Sequence, residues 1–425
     1  MSDIFLYYSV AFYVKIMAYA ERYFINTGGY AMQSFSFKCP TEIIFGRGAE
    51  EQIAEKIRAY GGSRVFIVYG GGSAIRSGLL PRIENQLTAA GLAMEVRGGV
   101  KPNPRVSWVR GAIDDARAFA ADFVLAVGGG SVIDSAKGVA HGLANPGTDI
   151  WDFWSGKEKL TVTTPLAAVV TMAAAGSEMS DSAVLTNEET GAKSGLNSEL
   201  NRPALAFLNP ELTYTLPKKQ LACGISDILM HTLERYFTSI KEMNELTDLF
   251  AEALMKNLID QSRIALQDQT NYDAMSEILW TAGVSHCGLT ELGRCKDFAC
   301  HKLGHPLSGR FDVPHGASLT AVWGSWAEYV WQDDPERFAK FAGRVWGITE
   351  GTTEQRARSG IEATVNYFRE MEMPTNFTEL GIGIQGKESL DALADMVTAR
   401  GTKTVANFHP LDKQAALDIY NLANK

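Results

Sequence analysis

The hydrophobic positions change their period several times between about residues 35 and 209. Short, almost wholly apolar runs such as RVFIVY (64–69) and FVLAV (123–127) alternate with longer stretches in which apolar residues recur every three or four positions. The short runs are typical of strands buried on both faces, and the longer stretches are typical of helices. Their alternation predicts an α/β fold with a parallel, Rossmann-like sheet. The expected strands are 64–73, 93–100, 122–131, 166–172 and 204–210, and the expected helices are 77–91, 105–121 and 132–145.

The pattern changes after residue 210, from where helical spacing continues with short breaks to the last residue. Just before this change, SAVLTNEETGAKSGL (182–196) predicts a hairpin around turn residues. We therefore predict an α/β domain at 32–209 and an all-α C-terminal domain at 210–425, with the ligand site in the cleft between them.

Residues 1–31 require a separate interpretation. The apolar stretch IFLYYSVAFYVKIMAYA is interrupted by Lys15 and is short for a membrane span. AYA at 18–20 resembles a signal cleavage site, but the MSD that begins the chain supplies no basic side chain. We interpret 1–31 as an extension from upstream start assignment, outside the fold, with a signal peptide as the alternative.

The composition excludes several classes of function. Hydrophobic residues make up 46% and charged residues 21% of the chain, and the formal net charge is −9. This is globular material whose overall field opposes nucleic acid and acidic membranes as partners. The five cysteines are odd in number and form no CxxC pair, which fits a reducing cytoplasm.

Two glycine loops, YGGGS at 69–73 and VGGGS at 127–131, each follow a predicted strand and precede a predicted helix. Backbone N–H groups in such a loop approach an anion closely, and the helix N-terminus adds a favourable dipole. One loop alone would also suit a plain tight turn, but two in one sheet predict a dinucleotide site. No acidic residue accompanies the first loop, whereas Ser73 and Arg76 do, so we expect NADP(H) in preference to NAD(H).

Further candidates follow the next strand. In TMAAAGSEMS (171–180), Thr171 and Ser177 could bond phosphate or ribose, and Lys193 lies in the hairpin. A crowded turn and a solvated lysine are the alternatives.

The histidines predict a metal site. Asp227 and His231 are four apart on a predicted helix, and His301, His305 and His315 fall within fifteen positions. An aspartate with three imidazoles suits Fe²⁺ or Zn²⁺. We expect Pro306 to end the helix that carries His301, and Pro314 to begin the next one. Spacing predicts two of these three histidines as ligands without deciding which two.

Five motifs together resemble the iron-containing, or group III, alcohol dehydrogenases, with most similarity to the NADPH-dependent butanol dehydrogenase and aldehyde reductase branch. The resemblance covers about 35–425 and implies a dehydroquinate synthase-like fold and a homodimer. It departs from the family pattern before GSE, where the hydroxyl residues expected at 173–175 are alanines. The motifs are GGGSVIDSAK (128–137), AAAGSEMS (173–180), NPELTYTLP (209–217), GISDILMHTLERY (224–236) and HKLGHPLSGRFDVPHG (301–316).

The resemblance implies metal ligands at Asp227, His231, His301 and His315, and a non-ligand His305 beside nicotinamide and substrate. It also implies a set of residues that bind the cofactor. The cofactor residues are Gly71, Gly72, Ser73, Asn103, Gly129, Gly130, Ser131, Asp134, Thr171, Met172, Ser177 and Lys193.

The implied reaction is hydride transfer from NADPH to an aldehyde whose carbonyl is polarised by the metal, with alcohol oxidation as the reverse. His305, water and a ribose hydroxyl would relay the proton, and we expect the pKa of His305 to lie near neutrality. The alternatives are a dehydroquinate synthase-like lyase, which would need more basic residues in the cleft, and a metal-loaded binding protein, which would not need two glycine loops.

Overall fold

A computed structural model of the protein describes residues 32–425. Our interpretation of residues 1–31 as an extension therefore concerns residues outside the described part. The strands are β1 (Glu42–Phe45), β2 (Arg64–Tyr69), β3 (Ala93–Arg97), β4 (Phe123–Gly128), β5 (Leu166–Val170), β6 (Ser182–Asn187), β7 (Ala192–Asn197) and β8 (Leu205–Leu208).

Helices separate these strands and then form the whole second half of the described chain. The helices of the first half are α1 (Ile53–Ala59), α2 (Ser73–Arg76), α3 (Leu79–Ala89), α4 (Val106–Ala118), α5 (Gly130–Ala144) and α6 (Ile150–Trp154). Those of the second half are α7 (Lys218–Tyr236), α8 (Glu245–Gln267), α9 (Tyr272–His286), α10 (Ala299–Phe311), α11 (His315–Val330), α12 (Pro335–Trp346), α13 (Thr353–Glu370), α14 (Phe377–Leu380), α15 (Lys387–Val397) and α16 (Lys413–Ala423).

Six strands form one sheet in the order β1-β8-β5-β4-β2-β3, and every neighbouring pair is parallel. The predicted parallel α/β sheet and all five predicted strands are confirmed. Strand β1 was not predicted, because its four residues lie at the edge of the sheet and mostly retain some exposure. The predicted hairpin is also confirmed, since β6 and β7 pair antiparallel.

Both faces of the sheet are buried, which explains the continuous apolar runs. Alternate residues such as Val65 and Ile67 pack with α1 and α3 in a separate small core. Their neighbours Phe66 and Val68 face α4 and α5 in a core that continues without a break into the C-terminal helices. The sheet and the helical half therefore share one interior.

Helix α10 differs from the prediction. Pro306 lies inside it, and the helix continues to Phe311, so the expectation that it ends at Pro306 is wrong. Proline removes one backbone hydrogen bond and disfavours a helical conformation at the preceding residue. Leu303 and Leu307, on either side of it, have no exposed surface, and this burial outweighs the local cost. The other part of the prediction is confirmed, because α11 begins at His315 directly after Pro314.

No helix within residues 32–425 combines the length and the apolar character that crossing a bilayer requires.

Candidate functional site

The candidate metal ligands come from three helices that meet beside the sheet. Helix α7 carries Asp227 and His231 on one face, α10 carries His301 in its first turn, and His315 is the first residue of α11. Every residue of α7 from Leu221 to Tyr236 is buried, so its charged and polar side chains need partners.

Three imidazole nitrogens face one carboxylate oxygen. The Nε2 atoms of His231, His301 and His315 lie 3.4, 3.6 and 3.8 Å from Asp227 Oδ1. These separations are too long for hydrogen bonds. They match the spacing of about 3.4 Å expected between atoms that each bind one tetrahedral cation at about 2.1 Å.

Two polar atoms at this point have no hydrogen-bond partner among residues 32–425. Asp227 Oδ1 and His301 Nε2 are buried and accept or donate no hydrogen bond among the described residues. A buried, unpaired carboxylate is costly unless a cation satisfies it. The donor set of one oxygen and three nitrogens therefore fits Fe²⁺ or Zn²⁺.

The four side chains are not equally close to one another. One ligand atom each from Asp227, His301 and His315 lies within 4.8 Å of the others, whereas His231 is not part of that set. His231 has the nitrogen nearest to the aspartate oxygen, and its other nitrogen, Nδ1, lies 3.4 Å from Arg235 Nη1. His231 therefore borders a compact set of three, and its role as fourth ligand stays a prediction.

Glu234 completes the site and was not predicted. Its Oε2 bonds to His301 Nδ1, while its Oε1 accepts from the backbone N–H groups of Cys300 and His301. A carboxylate behind a metal-binding imidazole fixes the tautomer and turns the second nitrogen toward the metal. The signal was present in the sequence, because Glu234 follows His231 by three positions and Asp227 by seven, on the same helix face.

Burial and neighbouring charges set different protonation states for the histidines. Burial lowers the pKa of His231 well below its ordinary value and that of His315 to about 3. For His301, burial lowers the pKa, but the charges and hydrogen bonds of Glu234 and Asp227 together outweigh it and raise the pKa to about 9. His301 is therefore the imidazole that must release a proton before a cation can bind.

His305 lies beside these groups, with its ring centroid 5.5 Å from that of His315 and 6.3 Å from that of His301. Burial, reinforced by the positive charge of Lys193, lowers its pKa well below 6.5. The expectation of a pKa near neutrality is wrong, because sequence spacing reveals neither the burial nor the lysine.

The glycine loops lie where a ligand of a parallel sheet is expected. They follow the carboxyl ends of β2 and β4, which are neighbours in the sheet. Helices α2 and α3 after the first loop cover one face of the sheet, and α5 after the second loop covers the other. This is the topological switch point of the sheet. Gly71, Gly72 and Ser73 form the first loop, with the Arg76 guanidinium folded over Gly72.

The second loop leads into the long helix α5. Gly129 precedes its first turn, and Gly130 and Ser131 belong to it, so the backbone N–H groups there are free to bind an anion. A Cβ on Gly129 would lie 3.2 Å from Met172, whose neighbour Thr171 donates its N–H to the end of β4. Residues 171–172, which follow β5, thus pack directly beside this loop.

Asp134 and Ser177 form hydrogen bonds with each other and with neighbouring residues of the protein. Ser177 Oγ donates to Asp134 Oδ1 (2.6 Å) and accepts from Lys137 Nζ (2.8 Å), and the other Asp134 oxygen accepts from Val184 N–H. Lys137 has no exposed surface, and burial lowers its pKa to about 8. These three side chains brace the loop after β5 from below, and direct cofactor contact by Asp134 and Ser177 stays a prediction.

Lys193 lies close to both candidate sites. Its Nζ donates to Asn103 Oδ1 at 3.0 Å, and Asn103 adopts a left-handed backbone conformation. Burial lowers the pKa of Lys193 to about 8, while the charges of Asp227 and Asp134 oppose this shift. Lys193 is thus half-buried and bonded to Asn103, in contrast to the alternative of a solvated loop lysine, and its contact with a cofactor stays a prediction.

Close backbone approaches join the glycine loops to the metal ligands. A Cβ on Gly224 of α7 would overlap the carbonyl oxygen of Ala173, and a Cβ on Gly316 would overlap that of Cys223. Glycine at these positions lets α7 pack directly on the loop after β5, and lets α11 bring His315 up to α7. The two candidate sites are thus parts of one site.

Comparisons with known proteins agree with this arrangement. A family model described as "Iron-containing alcohol dehydrogenase" matches residues 40–210, and one described as "Fe-containing alcohol dehydrogenase family, C-terminal" matches 221–424. The chain is 36% identical to NADH-dependent butanol dehydrogenase A of Clostridium acetobutylicum, covering 92% of this chain and 99% of that protein. It is 33% identical to NADPH-dependent aldehyde reductase YqhD of Escherichia coli, covering 92% of this chain and all of that protein.

The solved structures agree as well. The crystal structure of NADH-dependent butanol dehydrogenase A from Thermotoga maritima aligns with a TM-score of 0.88 and 33% identity, covering 93% of this chain and all of that one. The matched family models and these relatives give no support to the lyase alternative.

Proposed function

The chain belongs to the iron-containing alcohol dehydrogenase family and is an NAD(P)-dependent alcohol dehydrogenase, and we propose that it transfers hydride between NADP(H) and an aldehyde/primary alcohol pair. One observation carries this proposal. A buried aspartate oxygen, which has no hydrogen-bond partner in the described part of the chain, faces three imidazole nitrogens. The helix that carries it packs on the loop beside the glycine-rich turns.

Asp227, His231, His301 and His315 would hold Fe²⁺ or Zn²⁺. When bound, such a cation supplies a Lewis acid that polarises the carbonyl oxygen of an aldehyde. Glu234 keeps His301 in the tautomer whose Nε2 faces the carboxylate, because its Oε2 bonds to Nδ1. In this assignment the metal lies in the helical half, 210–425, and the nucleotide on the α/β half, 32–209.

The cofactor would extend along the carboxyl edge of the sheet. The N–H groups at the start of α5 would bind the pyrophosphate, and Lys193, held by Asn103, would bind a ribose. His305 is neutral at pH 7 because of its lowered pKa. A neutral imidazole carries one N–H and one lone pair, so His305 can pass a proton between a ribose hydroxyl and the product oxygen without becoming charged itself.

We propose that the protein prefers NADP(H). The first glycine loop and the end of β3 (Arg97-Gly98-Gly99) offer no carboxylate to a ribose 2′-hydroxyl. Ser73 and Arg76 offer a hydroxyl and a cation to a 2′-phosphate. The relatives include both an NADH-dependent and an NADPH-dependent enzyme, so the preference depends on these local residues.

We also propose a homodimer in the cytoplasm. The homodimer rests on the family resemblance. The location rests on the five cysteines, which are all unpaired, as is usual in a reducing compartment.

An absorbance assay tests the function. Protein loaded with Fe²⁺ or Zn²⁺ should oxidise NADPH in the presence of short aliphatic aldehydes and lose this activity with a chelator. Asp227→Ala should abolish metal content and turnover together, because it removes the carboxylate at the centre of the site. Asp114→Ala, an exposed residue on α4, is the control and should change neither. Full metal content and activity in Asp227→Ala would overturn the ligand assignment.

A further inference from the structure

His286, the last residue of α9, lies between the two parts of the site and has no role in the reaction described above. Its ring packs against that of His231, with centroids 4.0 Å apart and planes 35° from parallel. Its Nδ1 lies 2.7 Å from the carbonyl oxygen of Ala175. A carbonyl only accepts hydrogen bonds, so Nδ1 carries the proton and the neutral ring has one defined tautomer.

The carbonyl that His286 bonds belongs to the loop beside the second glycine turn. The side chain of Ala175 lies 3.5 Å from where a Cβ on Gly130 would be. The next residue, Gly176, has a φ of +62°, and a Cβ there would overlap the carbonyl oxygen of Ala282 in α9. The end of α9 therefore supports this loop from below.

His286 is not among the residues whose ligand atoms cluster around Asp227. It contacts the ring of a predicted ligand with its face and the cofactor loop with its edge. We propose that His286 is a positioning residue with two separate effects. It fixes the plane of the His231 ring, and it fixes the position of the loop at Ala175 relative to Gly130 at the start of α5. This inference rests on the proposed function, since it assumes a metal at His231 and a dinucleotide at Gly130.

The two contacts can be removed separately. His286→Phe keeps an aromatic ring over His231 but has no donor for Ala175. His286→Asn keeps an N–H close to the position of Nδ1 but has no ring. Ser285→Ala is the matched control, because Ser285 is also buried in the last turn of α9 and its hydroxyl donates to the Ala282 carbonyl of its own helix.

Two binding constants, measured without turnover, report on the two contacts. Competition of Zn²⁺ with a chromogenic chelator gives the metal Kd, and the fluorescence of bound NADPH gives the cofactor Kd. In His286→Phe the cofactor Kd should rise about 5-fold, as expected for one lost hydrogen bond, with the metal Kd within about 3-fold of wild type. In His286→Asn the metal Kd should rise about 10-fold, as for other side chains that orient a ligand, with the cofactor Kd nearly unchanged.

The proposal holds only if each variant changes its own constant, and it is overturned if either variant keeps both wild-type values or if Ser285→Ala shifts them equally. Thermal melts confirm that each variant is folded. If either is not, His286→Tyr, which keeps a ring without an N–H at the position of Nδ1, replaces the first variant, and His286→Gln replaces the second. Failure of the proposed function looks different, because wild-type protein would then bind neither Zn²⁺ nor NADPH at the site.

Discussion

Replacing Glu234 should weaken metal binding while the protein stays folded. Glu234→Gln keeps an oxygen for the backbone N–H groups of Cys300 and His301 but loses the charge that orients the His301 ring. We expect metal affinity to fall about 10–100-fold, measured by chelator competition. Glu252→Gln is the control, because Glu252 is equally buried but accepts from the Tyr236 hydroxyl, and a metal affinity in Glu234→Gln equal to wild type would contradict the role of Glu234.

Arg76 is the residue on which the cofactor preference should depend. Its guanidinium is exposed and lies over Gly72, where the 2′-phosphate of NADP(H) is expected. Arg76→Gln should lower kcat/KM for NADPH about tenfold, the effect of one lost charge-assisted hydrogen bond, and leave that for NADH unchanged. Steady-state kinetics with both cofactors measure this. Arg82→Gln, an exposed arginine on α3, should leave both values unchanged, and an equal loss with both cofactors would exclude Arg76 as the determinant.

At the residue scale, the sequence predicted which side chains form the site better than it predicted their protonation and their packing. Asp227, His301 and His315 do meet, as the motifs predict. The neutral state of His305 and the contact between His286 and His231 depend on burial and on packing between distant segments. Neither property leaves a periodic pattern in the sequence.

At the scale of elements, the approach of α11 to α7 depends on Gly316. A Cβ there would overlap the Cys223 carbonyl, so Gly316→Ala must move α11 and His315 with it. We expect a loss of about 1–3 kcal/mol of unfolding free energy together with weaker metal binding, measured by urea denaturation and chelator competition. Gly309→Ala is the matched control, because Gly309 lies in α10 with open space around it. It should be neutral or stabilising by up to about 1 kcal/mol, and the same result for Gly316→Ala would contradict the close approach.

The elements themselves were largely predictable, because period and composition are local properties. The change from short apolar runs to helical spacing after Pro210 matches the end of the sheet at β8. Pro306 shows the limit of local rules, since the burial of Leu303 and Leu307 is a property of the whole helical half.

At the scale of the whole molecule, Asp248 should give the stability its acid dependence. It binds Arg294 from the loop before α10, and both Arg337 and Lys340 from α12. Although burial opposes ionisation, Arg337 and Arg294 hold the pKa of Asp248 at about 2, below its ordinary 3.8. A folded-state pKa below the unfolded value contributes stability above pH 3.8 that is lost as the pH falls toward 2.

Asp248→Asn should therefore cost about 2 kcal/mol of unfolding free energy at pH 7. The difference from wild type should stay constant down to about pH 4 and shrink below it, as measured by urea denaturation at several pH values. Asp260→Asn, on the exposed side of the same helix, should show no such difference. A gap between wild type and Asp248→Asn that stays unchanged down to pH 2.5 would rule out this titration.

The interior shared by one sheet face and the helices has a consequence for how the chain can be divided. The two matched family models meet between residues 210 and 221, but Phe66 and Val68 pack in the same core as Ile225 and Leu229. A fragment cut at this junction would leave apolar side chains of the sheet in water on one side and those of α7 on the other. We therefore expect neither half to be soluble when it is expressed without the other.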